Sequence, residues 1–112
     1  MIIDVMRTRR DLVRDLAAEI RGRFPRLPYG EALALAAQAI RVPSRAGWTE
    51  PGETRADMIV VAWLRHTKTE YDALCDSCGR DEARRVVSRI VQRWYMWYRG
   101  EAVAHPEGSI AA

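Results

Sequence analysis

The sequence predicts an all-α protein: a compact single-domain bundle of four or five helices around a central apolar helix. Three observations lead there. Several segments repeat apolar residues at the three-and-four spacing of an amphipathic helix, no segment alternates apolar and polar residues as a half-buried strand does, and the prolines fall between the helical segments. With 112 residues, 48% of them apolar and 29% charged, the chain has material for one core and lacks the composition of a disordered segment. The helical domain is assigned to residues 1–100. The tail 101–112 has no periodicity and is expected to fray.

The first helix is read over Thr8–Gly22, where Leu12, Val13, Leu16, Ala17 and Ile20 share one face. Asp11, Asp15 and Glu19 line one flank and Arg7, Arg10, Arg14 and Arg21 the other, an arrangement expected of a solvated surface, and Gly22 with Pro25 ends the run. The prolines of FPRLPYG then impose a turning connection. A second helix over Glu31–Arg41 follows from its run of Ala, Leu and Gln, closed by Pro43. Val42–Glu53, with Pro43, Ser44, Gly47, Pro51 and Gly52, has the composition of a loop.

Thr54 with Asp57 three residues later resembles an N-terminal capping pattern, so a third helix is expected to begin just before Ala56. Its segment Met58–Leu64 is apolar all round, which suits a central buried helix or a core strand; the absence of any second strand to pair with favours the helix. Thr69 can cap a short fourth helix that stops at Gly79. In the last helix, capped by Asp81, an arc of Ala83, Val86, Val87, Ile90, Val91, Trp94, Trp97 and Tyr98 faces away from Arg85, Arg89, Arg93 and Arg99.

Charge narrows the function classes. The net charge is +3, and the cations are 17 arginines and one lysine, Lys68. Arginine binds phosphates and carboxylates through a planar fork, but a chain without asparagine and nearly without lysine is also what a GC-rich genome encodes, so placement matters more than number. The longest dense apolar run, Met58–Leu64, is too short to span a membrane. No apolar segment of secretory length opens the chain, and two cysteines cannot form a disulfide framework; a cytoplasmic protein is the expectation.

Three constellations could carry chemistry. Cys75 and Cys78 have the C-x-x-C spacing, but no second cysteine pair completes a zinc site and no strand precedes them as in a redox motif, so neither metal nor cofactor is expected. The cluster Arg65, His66, Thr67, Lys68, Thr69, Glu70, Tyr71 and Asp72 falls where an apolar helix ends. It holds the inventory of an acid–base site on a phosphate substrate, and equally that of a hydrogen-bonded knot between two helices. On the last helix, Arg85, Arg89 and Arg93, with neighbouring Arg80 and Arg84, form a basic face that could contact phosphates, with Tyr95 available to stack on a base.

The segments FPRLP, RVPSR, AWLRHTKTEYDAL and GRDEARRVV, closing on Trp94, resemble a domain-of-unknown-function family, number two-two-nine-three, found in bacteria and fungi. The resemblance spans about residues 24–97 and centres on an R-H-x-x-T-x-Y-D core matched by Arg65, His66, Thr69, Tyr71 and Asp72. Pro43 and Ser44 stand where that pattern has a glycine turn, and Cys75 where it has leucine. The family carries no established activity, so the resemblance implies a domain extent and a core motif, not a reaction. From the residues, a non-catalytic binding module contacting nucleic acid through the last helix is the leading expectation. A protein-interaction or structural subunit, including a homo-oligomer, is the alternative. A phosphodiester-acting enzyme using His66 is the third.

Overall fold

In a computed structural model the chain is described over residues 8–41 and 53–107. The described residues are all-α: α1 (Arg9–Arg23), α2 (Tyr29–Arg41), α3 (Glu53–Lys68), α4 (Tyr71–Cys78) and α5 (Arg80–Tyr98), with no strand among them. The expected loop Val42–Glu53 lies, up to Gly52, outside the described residues. Contacts gather into two units, Met1–Ile59 and Val60–Ala112, with the boundary inside α3.

In the first unit, α1 packs on α2. Thr8 caps α1 in a complete capping box: its hydroxyl accepts from the Asp11 backbone N–H at 3.2 Å and the Asp11 carboxylate accepts from the Thr8 N–H at 3.1 Å. Asp11 is therefore a cap and not simply a solvated flank residue. Leu16, Ala17 and Ile20 are fully buried, as are Phe24 and Leu27 of the proline-rich connection. The Phe24 carbonyl accepts from the Leu27 N–H at 3.0 Å, which closes the turn and lets both side chains point inward. Pro28 supplies the first carbonyl of α2, accepting from Ala32 N–H at 3.0 Å, so α2 starts at Tyr29, two residues before Glu31. Ala32, Ala36 and Ala39 alternate with Leu35 on its buried side, and such small side chains permit close approach of α1.

Two bidentate ion pairs tie the first turns of α3 to α1. Arg23 donates to both Asp57 oxygens at 2.9 and 3.1 Å, and Arg55 donates to both Glu19 oxygens at 2.9 and 3.0 Å. The arginines alternate sides, one from each helix. Asp57 thus serves an inter-helix pair. Because α3 begins at Glu53, Thr54 lies inside the helix instead of capping it. Within α3 burial follows a stripe, Ala56, Ile59, Val60 and Leu64, and Met58 is 44% exposed. Apolar composition all round does not imply burial all round: a helix has one flank per neighbour, and Met58 faces none of those described.

In the second unit, α4 packs on α5, and a single residue separates them. Gly79 adopts φ 89°, ψ 162°, a backbone region open essentially to glycine alone. It ends α4 by donating to the Cys75 carbonyl at 3.1 Å and starts α5 by accepting from Ala83 N–H at 3.0 Å. Asp81, expected as the cap, lies in the first turn instead, where its charge still favours the helix N-terminus. The segment expected to fray is held down as far as Glu107: Pro106 is fully buried and the His105 ring meets Trp94 and Trp97 edge-on at centroid distances of 5.1 and 4.6 Å.

A Cβ at Gly79 would meet no atom within 4 Å, so Gly79→Ala introduces backbone strain without a clash. The expected cost is about 1–3 kcal/mol, read as a lower urea midpoint with unchanged slope. An unaltered midpoint would mean that the junction adopts another conformation.

Candidate nucleic-acid interface

The orientation of α5 is set by its apolar side chains. At 100° per residue, Ala83, Val87, Val91, Trp94 and Tyr98, all buried, fall within an arc of roughly 80°. Val86, placed in that arc by its sequence spacing, lies at its margin and is 54% exposed. Arg85, Arg89 and Arg93 occupy a second arc of roughly 80°, nearly opposite the first, and all three are exposed. From Arg85 to Arg93 the row runs for about 12 Å. Arg80 and Arg84 are also exposed, but they project from the helix roughly 100° or more away from that row, so the five arginines do not form one line.

Arg85 is neutralised locally. Glu82, one turn earlier on the same side, accepts from its guanidinium, and this hydrogen bond together with the attraction of the two charges raises the pKa of Arg85 further above its ordinary high value. Arg80, Arg84, Arg89 and Arg93 make no hydrogen bond or ion pair with any described residue, and neither does Gln92, exposed beside Arg89. The row ends at a cleft of about 200 Å³ lined by Arg93 and Met96 of α5 and by Val103 and Ala104 of the segment that follows it.

The aromatic residues lie mostly on the other side. Trp94 is buried, stacked on Tyr98 at 5.8 Å and edge-on to Trp97 at 6.3 Å. The Lys68 ammonium sits 4.6 Å from the Trp94 ring centroid and 5.8 Å from that of Trp63, a cation held between two indoles. The sole lysine is therefore committed to the packed face and does not extend the arginine row. Tyr95 is half-buried, with the Arg99 guanidinium over its ring at 5.5 Å.

The motif at the α3–α4 corner divides into an inner and an outer part. Thr69 donates to the Arg65 carbonyl at 2.6 Å and accepts from the Tyr71 N–H at 3.1 Å, joining the end of α3 to the start of α4, and the Tyr71 ring is buried beneath them. Formally Glu70 precedes the helix without a side-chain bond, so Thr69 does the capping from one position earlier. Outside, His66 Nδ1 lies 2.6 Å from Asp72 Oδ1, and the two side chains are 53% and 68% exposed. A carboxylate only accepts, so Nδ1 carries the shared proton and Nε2 faces outward. His66 also meets Tyr71 edge-on at 5.4 Å, and the Arg65 guanidinium stands 5.9 Å from the same ring.

Residues 19–99 match the model of an uncharacterised conserved protein family, DUF2293. The chain belongs to that family. The DUF2293 match opens inside α1 and closes just after α5, so it includes the corner motif and the whole arginine row. No curated protein and no solved structure matches the chain.

Cys75 is half-buried and Cys78 exposed, its thiol directed at the Leu74 carbonyl 3.1 Å away. No three His, Cys, Asp or Glu residues converge as a metal site among the described residues, and none of the described helices is long and apolar enough to cross a membrane.

Thr69→Ala is expected to cost about 1 kcal/mol, the size of a lost helix cap, whereas His66→Ala should cost less than about 1 kcal/mol because its partner is solvated. Equilibrium denaturation of both variants checks the order, and a larger loss at His66 would reverse the assignment of inner and outer parts. Double replacement of Cys75 and Cys78 by Ala, or treatment with a chelator, is expected to leave the circular dichroism spectrum helical; loss of the spectrum together with released zinc would reveal a metal site.

Proposed function

We propose that this DUF2293 protein is a non-catalytic nucleic-acid-binding module of the cytoplasm that holds the phosphate backbone with the outer face of α5. The observation that carries the reading is the row Arg85–Arg89–Arg93, exposed along about 12 Å of a helix whose opposite face is packed. A strand of duplex DNA carries a phosphate roughly every 3.4 Å along its axis, so a row of this length is long enough to reach three of them. Guanidinium groups without carboxylate partners have no competitor to displace before binding an anion. On that ground Arg89 and Arg93 contribute more than Arg85, whose charge Glu82 already offsets. Arg80 and Arg84, on another side of α5, would reach a phosphate backbone only where it bends around the helix N-terminus.

A second reading rests on the His66–Asp72 pair, in which the carboxylate orients the imidazole and leaves Nε2 outward as a general base toward a phosphodiester. It competes with the first because the pair is solvent-exposed and no nucleophile lies beside it in any described contact. The arginine and aromatic residues of α5 would also suit a protein interface, and a stable complex or oligomer in place of nucleic-acid binding would select that reading.

Replacing Arg85, Arg89 and Arg93 together by Gln is expected to leave helicity intact and to weaken binding of single-stranded and duplex oligonucleotides alike. The slope of log affinity against log salt should fall by up to about three, one for each phosphate released. Arg89→Gln and Arg93→Gln should account for most of the change. Wild-type protein that binds neither DNA nor RNA at low salt would overturn the reading.

A further inference from the structure

The arginine row leads into the cleft between the C-terminal end of α5 and the segment after it. Counted around the helix, Met96 lies between the azimuths of Arg85 and Arg89, so the cleft wall continues the row instead of starting a new face. Its character changes along the way, from guanidinium groups to the thioether of Met96 and the aliphatic side chains of Val103 and Ala104, with Arg93 shared by both. The cleft measures about 200 Å³, below the roughly 300–1,000 Å³ of pockets for drug-sized ligands, which suits one planar ring and excludes a larger molecule. Its outer wall is firm. Pro106 is fully buried and the ring of His105 is fixed against Trp94 and Trp97, with His105 Nδ1 accepting from the Glu107 N–H at 3.2 Å.

We infer that this cleft receives an unpaired nucleobase while Arg89 and Arg93 hold the phosphates beside it, which makes the preferred ligand single-stranded nucleic acid. The inference rests on the nucleic-acid reading of α5 and adds what that reading leaves open, the strandedness of the ligand. Charge complementarity positions the backbone along the row. A base projecting from that backbone then meets a flexible, polarisable sulfur and two aliphatic walls, which accept any base by its flat face. A duplex, with its bases stacked inside, can use the arginines but not the cleft. The contact is sequence-tolerant, since the described lining has no polar side chain besides Arg93 to read a base edge.

Two probes separate the cleft from the row: a single-stranded oligonucleotide of roughly twelve nucleotides, and an abasic strand of the same length carrying the same phosphates. Wild-type protein is expected to bind the base-bearing strand about tenfold more tightly, the magnitude of one stacked base. Ala104→Leu, at an exposed position, fills the cleft with a side chain that cannot stack, and Met96→Ala removes the wall. Each should erase the difference between the two strands while leaving the salt slope and duplex affinity at wild-type values. Equal wild-type affinity for the base-bearing and abasic strands, or an undiminished preference in Ala104→Leu, would overturn the cleft and leave the arginine row standing. Absence of salt-sensitive binding to either strand would overturn both.

Discussion

Burial of Trp94 governs the second unit. Its ring stacks on Tyr98, meets Trp97 and His105 by their edges, and receives the Lys68 ammonium on its face, so residues of α3, of α5 and of the segment after α5 converge on one indole. Removing a side chain of that size from a core costs about 3–5 kcal/mol, far more than any surface ion pair of the same unit contributes. The placement of Trp94 fixes the rotation of α5 about its axis. Once that rotation is fixed, helical geometry alone sends Arg85, Arg89 and Arg93 outward. The proposed binding face is thus a consequence of packing on the other side of the helix.

The first unit is held differently. Its core is built of small and medium side chains, Leu16, Ala17, Ile20, Phe24, Leu27, Ala32, Leu35 and Ala36, and the beginning of α3 joins it through two bidentate pairs in which each helix contributes one arginine and one carboxylate. Side-chain exposures of 13–27% place these pairs at the margin of the core, where partial desolvation strengthens the attraction without the full cost of burying a charge. Their reciprocal arrangement specifies how the two helices meet. An apolar contact between alanine-rich surfaces would tolerate sliding, whereas a guanidinium fork on a carboxylate fits in one geometry.

The corner motif combines two roles in one stretch of sequence. Thr69 and Tyr71 fold the corner, and His66, Asp72 and Arg65 are what the folded corner presents outward. Lys68, between them in sequence, turns inward to the indoles. The cationic features of the second unit therefore lie on different sides: the arginine row on the outside of α5, and Lys68 on its packed face. A phosphate backbone lying along the row would not at the same time cover Lys68, which separates the proposed binding surface from the His66–Asp72 pair.

Amino-acid order alone determined the all-helical class, the approximate span of each helix, the single glycine between α4 and α5, and the side of α5 from which Arg85, Arg89 and Arg93 project. These depend on interactions within a few residues, or on a period of 3.6 that any apolar stripe reveals. Tertiary structure decided everything that depends on which neighbour a face meets. Met58 and Val86 read as core and are exposed, because an apolar residue is buried only where another element covers it. Glu19 and Asp57 read as a surface charge and a capping residue, and each instead holds an arginine more than thirty positions away. The segment through Pro106 lacks periodicity and reads as frayed, yet it packs against the α5 indoles, since a ring and a proline can be buried without any regular element to announce them. Arg80 and Arg84 join the arginine row in sequence but not around the helix, because nearness along a helix is not nearness on its surface: successive residues turn by about 100°, and only steps of three or four return to the same side.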